Sequence, residues 1–182
     1  MARIPYFDRT KATGRAAKAY EKLPPLNIFA MLGHSGELLD GFTKLGTQIL
    51  NFSSLDPVLR EIAIVRVGVL SKASYEVHQH ERISRRIGMS DALIAGIHEG
   101  PAAAVFTPLQ RQVMAFTDDV VKNVRASDAT FDPLKEALGF KALQELTITI
   151  GYYMLVSRFL ETFDVEIEQG EPPKVQVSGV TA

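Results

Sequence analysis

The stretch DPVLREIAIVRVGVLSKASYEVHQHERISRRIG, residues 56–88, decides how the chain is read. It opens on a strong helix-start signal. Asp56 is a capping residue type, and Pro57 falls at the first helical position, where a fixed φ is useful and a missing N–H costs nothing. The helix predicted from Val58 to about Leu70 is largely apolar. Glu61 shares a face with Val58, Ile62, Val65 and Gly68, and a carboxylate in such a stripe is unusual. The simplest account of it is a salt bridge, with Arg66 and Arg158 as the arginines offered by otherwise apolar helices.

Ser74 can cap a second helix that reaches Ile87, where Gly88 stops it. At about 100° per residue, Glu76, His80, Ile83 and Ile87 fall on one face, flanked by Val77 and Ser84. His78, Glu81, Arg82 and Arg85 fall on the other side. The helix therefore carries a carboxylate and an imidazole, at i and i+4, on its interior stripe. Burying both costs free energy unless they are paired or used. An apolar setting can move both proton affinities toward neutrality, so Glu76 and His80 are a candidate general acid/base unit. The bland alternative is a buried hydrogen bond that ties helices together. A metal site is a third reading. It needs a ligand from another helix, such as Glu61 or His34, because His78 points away from Glu76 and His80.

Working outward, the pattern stays helical. Thr10 to Leu23 favours helix with Gly14 interrupting it, and Pro24-Pro25 ends it. Asn27 is a candidate cap for a short turn through Leu32. Ser35 is a start signal for Leu38, Leu39, Phe42, Leu45, Ile49 and Leu50 at helical spacing. Ser90 opens a helix to His98, a residue best read as an exposed charge partner at a helix end. Thr107-Pro108 with Gln110 forms a capping-box pattern ahead of a helix to Val124. Ser127 or Asp128 caps the next helix through Leu138, with Pro133 as a candidate break. The last helix runs from about Lys141 to Phe163. Its Gly151 is a candidate for a close helix crossing, and Tyr152 and Tyr153 read as core. Arg82, Arg85 and Arg86 read most simply as a solvated face. Beyond 166 the chain holds Gly170, Pro172, Pro173 and Gly179 and reads as an extended arm, with a weak strand-like alternation over 174–178. The fold class is all-α. No repeat and no glycine-rich phosphate loop is present.

Composition narrows the function. The 182 residues fit one domain with a substantial core. Twenty Lys+Arg against 21 Asp+Glu give a net charge of -1, which offers no overall footprint for nucleic acid or an acidic membrane. There is no cysteine, which excludes disulfides, thiolate metal ligation and a thiol nucleophile. The first fourteen residues carry Arg3, Asp8, Arg9 and Lys11 and do not read as a signal peptide. The longest nearly apolar run, Leu146 to Ser157, is shorter than the ~18 residues of a membrane span. A cytoplasmic protein is expected.

The runs Leu59-Arg-Glu-Ile-Ala-Ile-Val-Arg-Val-Gly-Val-Leu70, Ala73-Ser-Tyr-Glu-Val-His-Gln-His80 and Arg86-Ile-Gly-Met-Ser90 resemble the carboxymuconolactone decarboxylase family. That superfamily includes the alkylhydroperoxidase D-like proteins. Segments 26–34 and 151–160 are similar to those of longer bacterial members. The resemblance divides the chain into an N-terminal extension (1–23), a family domain (24–166) and a tail (167–182). It implies an alkylhydroperoxidase D-like helical bundle that assembles as a trimer or hexamer, with sites near subunit boundaries.

The peroxidase branch of the resembled family uses a glutamate, a Cys-x-x-Cys pair and a histidine. Carried over position by position, the glutamate is Glu61, the cysteine positions are Ala73 and Glu76, and the histidine is His80. Both sulfurs are gone, and peroxide reduction by that route needs them. The decarboxylase branch is the better guide. It implies a lyase without cofactor or metal, acting on a small carboxylated lactone or carbonyl compound in aromatic-compound catabolism. His80 is then the general acid, Glu76 tunes or orients it, and Glu61 shares the proton. Arg66 or Arg85 holds a substrate carboxylate, with Tyr75 and His34 as further contacts. The same acid/base pair suits isomerisation or lactone opening. A vestigial, non-catalytic oligomer and a metal-dependent enzyme remain the competing readings.

Overall fold

The structure is a computed structural model that describes residues 1–170 and 177–179. A single 3-10 turn, Arg9–Lys11, precedes eight helices: α1 (Gly14–Tyr20), α2 (Asn27–Leu32), α3 (Gly36–Phe52), α4 (Pro57–Ser71), α5 (Ser74–Arg86), α6 (Asp91–Glu99), α7 (Pro108–Asn123) and α8 (Asp128–Phe163). No strand occurs among the described residues.

Helix α4 is the axis of the fold. Every residue from Leu59 to Gly68 is buried, so the helix, apolar but for Arg60, Glu61 and Arg66, is covered on all sides and packs against α5, α6, α7 and α8. A helix that is largely hydrophobic on every face belongs in a core. Its start follows the sequence signal, with the Asp56 carboxylate accepting from the N–H groups of Val58 and Leu59. The chain leaves it through Lys72, which takes a left-handed conformation at φ 56°. Helix α7 begins with the full capping box that Thr107 and Gln110 promise. Ser90 caps α6 through its hydroxyl. Helices α1 to α3 form a second layer, in which α3 packs on α1, α2 and α8.

Several local expectations are corrected. The predicted Thr10–Leu23 helix divides: Gly14, at φ +56°, starts α1 rather than interrupting it. Leu26, not Asn27, is the N-cap of α2. Pro133 does not break α8. The break is at Gly139, whose φ of 72° and ψ of 172° end one helical segment before the next begins. Gly151 is exposed with open space around it, so no crossing occurs there among the described residues. Most of the strand-like alternation at 174–178 lies outside the described residues.

Gly68 has a packing role that bears on function. A Cβ there would lie 2.9 Å from Val77 Cγ2 and 3.4 Å from its backbone nitrogen. Its absence lets α5 approach α4 closely enough for side chains of the two helices to meet across the contact.

The tail returns to this region. Val177 is buried, and the Ser178 N–H donates to the Leu50 carbonyl at 3.0 Å. Gly179, at φ +90°, presses against Pro57 where a Cβ would come within 2.8 Å.

Candidate active site

The α4–α5 contact brings three of the predicted residues together. His80 Nδ1 lies 2.6 Å from Glu61 Oε2, and His80 Nε2 lies 3.1 Å from Glu76 Oε1. All three side chains are buried. The other Glu61 oxygen accepts from Arg60 Nε at 3.1 Å. Arg60, fully buried, donates its remaining nitrogens to Ser178 Oγ at 2.9 Å and the Ser178 carbonyl at 3.2 Å. The expectation that Arg66 or Arg158 pairs with Glu61 is therefore corrected. The partner is Arg60, its sequence neighbour, whose long stem lets the guanidinium turn back along the helix. Arg158 instead donates to the Met154 carbonyl on the exposed side of α8.

Proton counting defines the electrostatics. A neutral imidazole donates from one nitrogen only. With a carboxylate at each ring nitrogen, both contacts are good hydrogen bonds only when the group holds an additional proton. Burial by itself lowers the proton affinity of His80, but the charges and hydrogen bonds of Glu61 and Glu76 outweigh it and raise the imidazole to about 9. The cluster pairs two basic groups, Arg60 and the protonated His80, with the carboxyl groups of Glu61 and Glu76, the kind of pairing that a core requires of such groups.

The cluster borders a cavity of about 1070 Å³ between α5 and the α1–α3 layer, with α8 contributing to its wall. Glu76 and His80 line it, and Glu61 does not. Glu61 thus holds His80 from the protein side, while Glu76 sits at the nitrogen nearer the open space. Tyr75 and Gln79 also line the wall, and both are committed to the tail: the Tyr75 hydroxyl and Gln79 Nε2 each donate to Glu168 at 2.6 Å. Burial, followed by the Glu168 carboxylate, pushes the Tyr75 phenol far above its usual range.

The remaining candidates lie off the cavity. Arg66 is buried on the far side of α4, bidentate to Asp118 at 2.5 and 2.8 Å and bonded to the Ile97 carbonyl at 3.0 Å. Burial alone would raise the Asp118 carboxyl, but Arg66 and Lys122 hold it below its usual range. Arg85 is half-exposed and pairs with Asp91 and Glu81. His34 touches the Pro5 carbonyl at 2.7 Å and the edge of Phe7. His98 is exposed, as expected, and pairs with Glu81. Among the described residues no group of three or more His, Cys, Asp or Glu side chains is placed to hold a metal ion. No helix among them is long and apolar enough to cross a membrane.

Two residues of the site escape the sequence reading. One is Arg60; the signal was an arginine beside Glu61 within a wholly buried helix. The other is Tyr153. It lines the cavity, is buried, and meets the His80 ring edge-on at a centroid distance of 4.8 Å. Its position on the core stripe with Leu146, Ile150 and Leu160 reads as packing. The signal was the hydroxyl, because a buried tyrosine normally bonds its oxygen to something.

Residues 36–119 match the model of the carboxymuconolactone decarboxylase family. The fold resembles that of an AhpD-core, peroxidase-related protein of Ralstonia eutropha, with a TM-score of 0.76, 20% identity, and 92% of this chain and 93% of that one covered. A peroxidase-related protein of a Silicibacter species superposes with a TM-score of 0.72 and 19% identity over 85% of this chain and 83% of that one. A debrominase bound to 2,3,4-tribromopyrrole superposes with a TM-score of 0.76 and 17% identity over 93% and 95%. No curated protein matches the sequence. The segment 36–119 is thus similar to the carboxymuconolactone decarboxylase family, and the chain, without cysteine, shares the helical fold of alkylhydroperoxidase D-like proteins.

Proposed function

We propose that the chain is a cofactor-independent lyase that acts by general acid/base catalysis on a carboxylated lactone or carbonyl compound. The observation that carries this reading is an imidazole held between two carboxyl groups at the wall of a cavity: His80 lies between Glu61 and Glu76, and only the Glu76 side opens onto the cavity. The family match and the fold support a reaction of this class.

In the decarboxylation this implies, the carbon–carboxylate bond breaks and carbon dioxide leaves. The electron pair passes into the conjugated carbonyl to give a dienolate, and carbon then takes one proton. His80 supplies that proton from Nε2, directly or through Glu76 Oε1. Glu61 fixes the ring through Nδ1 and stabilises the imidazolium, the role a buried carboxylate takes behind a catalytic histidine. Arg60, held in turn by Ser178, orients Glu61. A site residue that holds its proton up to about pH 9 is a poised acid at neutral pH.

The bound tribromopyrrole of the debrominase shows a related fold holding a small planar ring. A compact lactone ring is a comparable load. The test is turnover of a panel of carboxylated lactones, followed by release of carbon dioxide, for the unaltered chain and for His80→Gln. Loss of turnover with unchanged circular dichroism supports the role. Unchanged turnover in the variant removes His80 from the mechanism.

A further inference from the structure

The cavity is larger and more apolar than a compact lactone needs. Its volume of about 1070 Å³ lies just above the ~300–1,000 Å³ typical of sites that enclose drug-sized ligands. Phe29, Phe42, Leu50, Ile83, Tyr152 and Val156 supply apolar wall. The polar groups on that wall are mostly spoken for. Lys44 pairs with Asp40 at 2.7 Å, the Tyr152 hydroxyl donates to the Phe42 carbonyl at 2.9 Å, and Tyr75 and Gln79 bind Glu168.

Two exceptions point to a ligand. The first is the Tyr153 hydroxyl. The residue is buried and lines the cavity, yet among the described residues nothing hydrogen-bonds that oxygen. It is not sealed in the packing either, since the only sealed, unpaired side-chain oxygens among them are Ser84 Oγ and Ser157 Oγ. An unpaired hydroxyl in contact with open space, beside the His80 ring, is a donor waiting for an acceptor. It stays a donor, because burial and then the Glu76 and Glu61 charges hold the phenol well above its ordinary range. The second exception is Lys18 and Lys22, exposed at the rim and without an ion-pair partner among the described residues. The other ionised side chains of the wall compensate one another within their own clusters.

We infer that the cavity takes a carbonyl compound with a sizeable apolar body and an anionic group, its carbonyl oxygen hydrogen-bonded by Tyr153 next to His80 and its anionic group at Lys18 and Lys22. This rests on the reading of the cavity as a reaction site and adds the class of substrate. Tyr153 then faces the oxygen on which charge develops as the dienolate forms, where a preorganised donor contributes most.

Binding distinguishes the parts. A homologous series of methyl-keto carboxylates of increasing chain length is titrated calorimetrically, beside plain carboxylates that lack the ketone and methyl ketones that lack the carboxylate. Affinity is expected to rise at least about tenfold along the keto-acid series as apolar surface is buried. Tyr153→Phe keeps the ring and is expected to weaken the keto acids about fivefold while leaving the plain acids unchanged. Lys18→Ala with Lys22→Ala is expected to weaken both acids about two- to fivefold, less at high salt, and to leave the ketones unchanged. Affinity that is flat with chain length overturns the apolar body, and this arm needs no variant. Equal affinity of the Tyr153→Phe and unaltered proteins for the keto acids overturns the carbonyl contact. Unchanged acid binding in the double lysine variant overturns the anionic anchor. The same titrations on His80→Gln, set beside its turnover of the carboxylated lactones, keep the two readings apart: binding retained without turnover supports the substrate class and the acid role together, and binding retained with full turnover supports the substrate class alone.

Discussion

The His80 cluster makes stability depend on pH in a way that a single substitution can isolate. The imidazole holds its proton up to about 9 in the folded chain, against an ordinary value of 6.5 that the unfolded chain regains. A basic group whose folded affinity is raised adds stability that is fully present below the unfolded value and is lost as pH rises through the folded one. The window is therefore pH 6.5 to about 9. At about 1.4 kcal/mol per pH unit the contribution is about 3 kcal/mol, a large share of the ~5–15 kcal/mol that holds a domain together. The geometry gives the same sign, because deprotonation leaves one ring nitrogen facing a carboxylate lone pair in the core. The assay is urea unfolding at fixed chain concentration across pH 6 to 10, for the unaltered chain and for His80→Gln. The difference between the two stabilities is expected to shrink by about 3 kcal/mol over that range. Glu61→Gln is expected to flatten the slope too, because it removes the group that raises the imidazole most. A His80→Gln slope identical to that of the unaltered chain between pH 6.5 and 9 refutes the reasoning.

Two other consequences separate scaffold from site. Asp118→Asn leaves the buried Arg66 without its bidentate acceptor and is expected to cost about 3–5 kcal/mol of stability, with kcat for the folded fraction unchanged because the pair lies off the cavity. Ser178→Ala removes the hydroxyl that accepts from Arg60 and donates to the Leu50 carbonyl, both at under 3 Å, and is expected to cost about 1–3 kcal/mol by urea unfolding. It is also expected to move the pH profile of turnover, since Arg60 holds Glu61 and Glu61 holds His80. A stability loss with an unmoved profile would make Ser178 a tether only.

Much of this was legible in residues 56–88 because helix signals are local. Asp56-Pro57 sets where α4 begins, and the i, i+4 spacing puts Glu76 and His80 on one interior stripe whatever the rest of the chain does. The Glu61 stripe carries the same kind of information. What stayed hidden is what depends on distance across the fold or on side-chain reach. Arg60 and Arg66 lie on one buried helix, and nothing local says which of them turns toward Glu61 and which toward Asp118 fifty-two residues away. The Arg60 contact to Ser178 spans 118 residues. Tyr153 could be placed in the core from its stripe, but whether its hydroxyl finds a partner there depends on the α1–α3 layer that walls the cavity.

The positions where the resembled peroxidases carry sulfur bear on the chemistry proposed for this chain. In this chain the first is Ala73, buried and inert, and the second is Glu76, 3.1 Å from His80 Nε2. A thiolate at that point could join imidazole chemistry to electron transfer, because it can form and break a sulfur–sulfur bond. A carboxylate can only hold or release a proton. A carboxylate at that position leaves the Glu61–His80 contact in place. With a sulfur there, the relay would move protons for a redox pair. With Glu76 there, the proposed lyase delivers the proton shared among Glu61, His80 and Glu76, and a cavity walled mostly by apolar side chains is where such delivery to carbon would be least contested by water.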